Sequence, residues 1–600
     1  MDTVSLTLSD KQETRRQLHY TVLSLLSVLV GVVSGIGAAG FRALISFFHN
    51  MLFLGKLSVT YEANVHTPPS PWGPLVILVP VVGSLGVSFL VTRFAPEAKG
   101  HGVPEVMDSI YYNRGIIRPV VALVKSFASA LSIGSGGSVG REGPIIQIGS
   151  SFGSTLGQII SMPTWQRVTL IAAGTGAGIA ATFNTPIGGM LFAMEIMLHE
   201  VSVRTLVPVG IATATATYIG QMFFGVYPAF VIPELQTFTF QPNNPLVLVC
   251  YVGLGLIIGM VSALYIRSIY FFEDFFSSRI KANDFVRHML GMLFVGILMY
   301  VLMSFYGHYY IEGVGYAAIE DVLTGRLFQP QLLLLLFVLK LLATSLTLGS
   351  GASGGVFSPA LFIGAMLGGA YGAAMGWLLP FIPGNLPAFA IAGMAGIVGG
   401  STGAVMAAIV MIFEMTLDYN IILPLTITVA ISDGMRWFLC RETIYTLKLV
   451  RRGHFMPEAL QTNFHYLRRA GSIMTADPKV LSASIPLSDF ARIVSTDSFA
   501  SHFLVEDGGR IVGFVARDAA LRVLEEAGSR LLLADVMERS FVTVMKNAPL
   551  HEILNRMRAG KTQLALVASQ LPLYSTSDVL GLITKDQIVE AVEDAMDLFA

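Results

Sequence analysis

Residues 131–150 read LSIGSGGSVGREGPIIQIGS. The stretch lies in an apolar neighbourhood, yet glycines interrupt it and Arg141 and Glu142 stand side by side in it. In hydrocarbon every backbone N–H and C=O needs a partner, so a break of this kind survives only inside protein or against a watery cavity. An ionisable side chain at that depth is costly and is by default functional. Pro144 suits the first turn of a helix, where no intrahelical donor is lost. The pattern predicts a helix, a break, and a new helix opening at about 142–144.

The rest of the chain supports a membrane setting. Its 600 residues are 53% hydrophobic and 13% charged, where a soluble protein carries about 25% charged residues. Apolar runs cover 20–49, 72–93, 204–225, 246–271, 288–305, 331–348, 386–414 and 421–439, and a membrane span needs roughly 20 such residues. This predicts a polytopic helical membrane protein. The net charge of −1 gives no footprint for nucleic acid. Cys250 and Cys440 both lie in apolar runs and read as packed thiols. The first 19 residues are too polar for a cleaved leader and read as a cytoplasmic segment. Lys11, Arg15 and Arg16 precede the first run, and Lys448, Arg451 and Arg452 follow the last, which places both flanks in the cytoplasm.

The broken stretch has an echo. Shifted by 215 residues, 124–153 falls on LKLLATSLTLGSGASGGVFSPALFIGAMLG (339–368), with identities at 12 of 30 positions, among them Lys125/Lys340, Gly140/Gly355, Pro144/Pro359, Gly149/Gly364 and Gly153/Gly368. Unrelated sequence of ordinary composition gives roughly two. A second echo pairs AGIAATFNTPIGGMLFAMEIM with AGIVGGSTGAVMAAIVMIFEM and puts Glu195 and Glu414 in corresponding places, both read as structural. Two halves, roughly 20–225 and 246–450, are the mark of a transporter built from repeats. The loop around 50–71 holds one basic residue, Lys56, whereas the loop around 277–287 holds Arg279, Lys281 and Arg287. That bias puts the loops on opposite sides and the repeats in inverted orientation.

A helix start exposes free N–H groups and the positive end of a dipole. Starts at about 142–144 and 357–359, meeting at mid-membrane, make an anion site without a fixed full charge, which binds an ion yet lets it leave. GHGVPEV (100–106) forms a third break before a short helix. Helix packing through small residues of the GxxxG type explains the glycines alone, but not Glu142 or the proline placement. Lys125 and Lys340 either set a positive potential along the path or bond to carbonyls and lift their tips toward the interface.

GHGVP (100–104), GREGP (140–144), GVFSP (355–359) and Tyr445 in RETIYTL together resemble the CLC family of chloride channels and chloride/proton exchangers. The resemblance implies an all-α membrane domain over 20–450, made of inverted repeats with broken helices, a pore in each subunit, and a homodimer. It implies that Glu142 is the gating glutamate, displaced from an anion site by an anion or a proton. Anion-binding groups would come from Gly100, His101, Gly102, Arg141, Gly143, Val356, Phe357, Ser358 and Tyr445. His101 replaces an expected serine, a departure that bears on anion preference; it either donates to the anion, binds anions more strongly when protonated, or is a satisfied structural histidine. Ile196 stands where exchangers often carry a second, proton-handling glutamate, so protons enter another way or the protein is a channel.

Beyond a linker at 451–471, residues 472–600 regain charge and alternate short strands (HFLVED, IVGFV) with amphipathic helices (LSDFARIV, LHEILNRMRAG) in two similar copies, 472–527 and 533–600. This α/β unit resembles a CBS-domain pair. In such pairs an aspartate holds the ribose of an adenine nucleotide, a part that falls to Asp586 with Thr584 and, with Ala516 in place of the hydroxyl, to Asp518. The alternative is a dimer-stabilising module without ligand, and no cofactor is required. The expected function is chloride transport, leaning to proton exchange, in the plasma (inner) membrane. A CBS-regulated divalent-cation channel needs acidic clusters the breaks do not offer. An enzyme is the third alternative, but LHEVSVR lacks the second histidine of a zinc-protease motif.

Overall fold

The computed structural model describes residues 18–199, 202–226, 230, 245–379, 386–456, 469–496, 500–527, 531–570, 572–573 and 575–590. Residues 1–17, 457–468 of the linker and 591–600 of the last repeat lie outside the described residues. The chain divides into two units, Met1–Arg452 and Gly453–Ala600.

The first half of the membrane unit runs α1 (Tyr20–Leu54), α2 (Val79–Phe94), α3 (Val103–Tyr112), α4 (Pro119–Gly134), α5 (Glu142–Ile159), α6 (Thr164–Phe183), α7 (Pro186–Phe192) and α8 (Val203–Phe224). The second half runs α9 (Pro245–Ser278), α10 (Asp284–Tyr306), α11 (Tyr316–Leu323), α12 (Pro330–Ser350), α13 (Phe357–Leu378), α14 (Leu386–Thr402), α15 (Val405–Thr416), α16 (Ile422–Leu439) and α17 (Thr446–Arg451). The order repeats: a short helix after a break, a long helix carrying the paired lysine, then a helix opened by Glu142 or Phe357. Among the described residues eight helices are long and apolar enough to cross a membrane, and the architecture is the expected inverted repeat with broken helices.

One expected span is corrected. The apolar run 386–414 splits into α14 and α15, neither of spanning length, because the chain reverses at Gly403 (φ +77°) and Ala404. The eighth long helix is instead α13, whose mean hydropathy of 1.4 is diluted by glycine and alanine. Those small residues have a use. A Cβ on Gly364 would lie 2.4 Å from the Gly393 carbonyl oxygen, and one on Gly149 would lie 2.2 Å from that of Gly174. Small-residue packing of α5 on α6, and of α13 on α14, therefore brings backbones together. It coexists with the breaks; the glycines before Pro144 and Pro359 serve the break, those after serve packing.

The paired ionisable residues also act structurally. Lys125 Nζ donates to the carbonyls of Ala98 (3.0 Å) and Gly100 (2.6 Å), and Lys340 Nζ to those of Ile311 (3.0 Å) and Gly313 (2.8 Å). Each lysine pins the break ahead of a short helix, α3 or α11, so the carbonyl pairing is present. Glu195, just past α7, accepts from the Met406 (3.0 Å) and Ala407 (2.7 Å) amides that open α15. Glu414, near the end of α15, accepts from Ile187 (3.0 Å) and Gly188 (2.7 Å), which open α7. The two halves thus cap one another reciprocally, each carboxylate meeting the free amides and dipole of the opposite helix. Hydrogen bonds to a charged group contribute about 1.5–3 kcal/mol. Glu414→Gln is therefore expected to lower stability in detergent by about 2 kcal/mol, read from denaturant midpoints; an unchanged midpoint contradicts the capping role.

In the second unit, β1 (Thr475–Ala476), β2 (Val480–Ser482), β3 (His502–Asp507), β4 (Arg510–Ala516), β5 (Val542–Met545), β6 (Leu564–Ala568) and β7 (Val579–Thr584) form two sheets, ordered β1-β7-β6-β5 and β2-β3-β4. The expected strands and helices fall within β3, β4, Leu487–Thr496 and Leu550–Ala559. Successive residues point to opposite faces. Phe503 and Val505 pack under the first repeat's helices, while Leu504 joins Phe514, Leu564, Leu566 and Leu582 in a core shared by the two sheets. β1, from the first copy, pairs with β7 of the second, so neither copy is complete alone.

Candidate functional site

The breaks meet through their backbones. Gly140 N donates to Gly355 O (2.7 Å) and Gly355 N to Gly140 O (2.6 Å), while Gly100 N donates to Ala352 O (3.0 Å) and Gly354 N to Gly100 O (3.2 Å). Glycine is required by proximity. A Cβ on Gly143 would stand 2.2 Å from the His101 carbonyl oxygen, and one on Gly355 2.8 Å from the Gly143 amide nitrogen. α5 and α13 therefore start beside each other, with α3 starting next to them.

Glu142, 1% exposed, lies between these starts. Its carboxylate accepts from the Ser358 amide (3.2 Å), from the Ser358 hydroxyl in a short contact, and from the Tyr316 hydroxyl (2.7 Å). It makes no ion pair with Arg141. First-turn amides lack intrahelical acceptors, and here one from α13 is taken by a carboxylate from α5. A negative ion is thus bound by dipoles, and that ion is a side chain.

Beside the carboxylate is a narrow cavity, lined by His101, Glu142, Gly143, Val356, Phe357 and Tyr445 together with Val103, Ile146, Ile179, Phe183 and Met411. Tyr445 is set by its neighbour Ile444, whose amide donates to Ser401 O (2.9 Å) and whose carbonyl accepts from Tyr270 (2.7 Å). The His101 and Tyr445 rings stand 5.9 Å apart. His101 also lines a wider vestibule with Lys99, Gly100, Glu105, Arg287, Lys448, Arg451 and Arg452. Most of its charges are paired: Glu105 with Lys448 (2.8 Å) and Arg452 (3.0 Å), Asp274 with Arg451 (2.9 Å). Beyond Glu142, the Arg141 side chain lines a different recess.

The nominated residues thus divide. Glu142, His101, Gly143, Val356, Phe357 and Tyr445 share the cavity, and Ser358 holds the carboxylate. Gly100 borders the vestibule, Gly102 (φ +85°) packs close to Gln147, and the Arg141 side chain points elsewhere. Sequence reading passed over Tyr316. It follows Gly315 (φ +80°) at the start of α11; its hydroxyl donates to Glu142 and stands 2.8 Å from the Ser358 hydroxyl. A 213-residue shift sets GVGYAAI (313–319) on GHGVPEV, so the repeat carried a signal; the absence of a proline hid it.

Residues 83–436 match the family described as voltage gated chloride channel. The chain belongs to that family. Residues 470–526 and 533–594 each match the CBS domain. A Ralstonia nicotianae protein named chloride channel protein ClcB-like is 33% identical over 66% of this chain and 91% of its own length. The H(+)/Cl(-) exchange transporter ClcA of Yersinia pseudotuberculosis is 30% identical over 72% of this chain and 87% of its own. Among solved structures, a slow cyanobacterial Cl-/H+ antiporter superposes with TM-score 0.61 at 25% identity, covering 73% of this chain and 99% of that one. The chain is a multi-pass membrane protein of the CLC type with a C-terminal CBS pair.

Against the CLC pattern, Ile196 at the inner acidic position is 5% exposed and apolar. In the CBS pair, Thr584 ends β7 and its hydroxyl accepts from the Gln587 amide (3.3 Å), capping the helix that follows. Asp586 and Asp518 lie at exposed helix starts; Asp518 pairs with Arg517 (3.2 Å). Burial pushes the His502 imidazole down, and Asp586, Glu538 and Asp518 act in the opposite sense.

Proposed function

We propose that this CLC protein carries chloride through the cavity beside Glu142 and exchanges it for protons. The observation that carries the reading is the Glu142 carboxylate bonded to the Ser358 amide at the start of α13. The donors that hold the carboxylate suit a halide equally well, since both are anions facing the same amides and dipole. Chloride entering from the cavity displaces the side chain. The displaced carboxylate then lies beside a negative ion and takes up a proton. His101 and the first-turn amides of α5 and α13 are the donors to the ion, and Tyr445 closes the cavity toward the vestibule. The vestibule is cytoplasmic, because Lys448, Arg451 and Arg452 line it, and both termini lie on that side of the plasma (inner) membrane. The protein works as a homodimer with one path per subunit, and the CBS pair takes an adenine nucleotide through Thr584, Asp586 and Asp518.

A channel without proton coupling is the second reading, favoured by Ile196 alone. Purified protein in liposomes distinguishes the two. Exchange predicts that an imposed chloride gradient drives protons uphill, recorded with paired chloride and pH electrodes. Rapid chloride flux with no proton movement would establish the channel, and no chloride flux would overturn both.

A further inference from the structure

Two cationic side chains, Arg42 of α1 and Arg141, the residue before Glu142, both line a narrow recess that Tyr445 does not line. Neither guanidinium has a carboxylate or hydrogen-bond partner among the described residues, and Arg141 Nε is fully buried. Each is instead placed over a ring: Arg42 lies 4.6 Å from the Phe224 centroid and Arg141 5.1 Å from that of Tyr316. Aromatic faces orient a cation but leave its N–H donors open. Nearby carboxylates compensate the pair only in part. His49 takes Glu312 (2.7 Å), and Glu62 attracts Arg42 from an exposed position without forming an ion pair with it. Two like charges facing one partly dry recess repel each other, and a negative ligand relieves that repulsion.

We infer that the recess bounded by Arg42 and Arg141 is a second anion site, taking a small inorganic anion (a halide or a planar oxyanion that fits the guanidinium fork) at the outer mouth of the path. The site deepens the transport reading and rests on it for its use: the ion waits one residue from the gate, on the face opposite the vestibule. Binding itself does not depend on that reading.

Bromide diffusing into crystals tests both separately through its anomalous signal. An anomalous peak between Arg42 and Arg141 is expected in the wild type, lost in Arg42→Gln and retained in Arg42→Lys. In Glu142→Gln a peak is also expected in the central cavity. A central peak without an outer one overturns the second site and leaves the transport reading standing. An outer peak without a central one supports the second site and overturns the transport reading. In flux assays Arg42→Gln is expected to raise the half-saturating chloride concentration on the outer face about fivefold, with the vestibule face unchanged and Arg42→Lys near wild type. An equal rise on both faces contradicts an outer site.

Discussion

Glu142→Gln is expected to abolish chloride-driven proton movement while chloride still crosses. Glutamine keeps the size of the side chain and a carbonyl acceptor for the Tyr316 and Ser358 donors, but it carries no charge to compete with chloride and no proton to release. In the wild type the carboxylate occupies donors the ion needs, so flux depends on its being displaced or neutralised. The variant should lose whatever pH dependence this side chain gives to chloride flux. Paired chloride and proton recordings from liposomes check both parts. Residual uphill proton transport in the variant would remove Glu142 from the proton path.

Tyr316→Phe should raise chloride flux at neutral pH. The Tyr316 hydroxyl donates to Glu142 at 2.7 Å in a buried setting, and a hydrogen bond to a charged group contributes about 1.5–3 kcal/mol. Without that donor the carboxylate is held only by the Ser358 amide and hydroxyl, so chloride displaces it more readily and flux at neutral pH is expected to rise several-fold. Phenylalanine retains the ring over which Arg141 lies and the edge contact with Phe230, so a folding defect does not account for the rise. Unchanged flux would mean that Tyr316 only fills space.

What the sequence disclosed follows from how local each signal is. The helix starts at Glu142 and Phe357 were legible because a glycine run, a proline and an apolar run stand together within a few residues. The break before α11 has glycines but no proline, and it escaped notice although Lys340, two helices' length of chain away, bonds its carbonyls. The division of 386–414 was hidden because Gly403 and Ala404 are themselves apolar, so hydropathy does not fall where the chain turns. Lys125 and Lys340 were visible as buried charges, yet their acceptors are carbonyls about 25 to 29 positions away, which no residue type announces. Arg42 gave no signal at all. Its meaning comes from Arg141, 99 positions later, on a different helix.

The central claim is that chloride and the Glu142 carboxylate compete for the same peptide donors, and calorimetry tests it most directly. Chloride is titrated into purified protein at fixed pH in buffers of different ionisation enthalpy, which counts the protons exchanged per ion bound. Proton uptake between zero and one per chloride, absent in Glu142→Gln, is predicted. Chloride binding by the wild type with no proton uptake at any pH would contradict the competition.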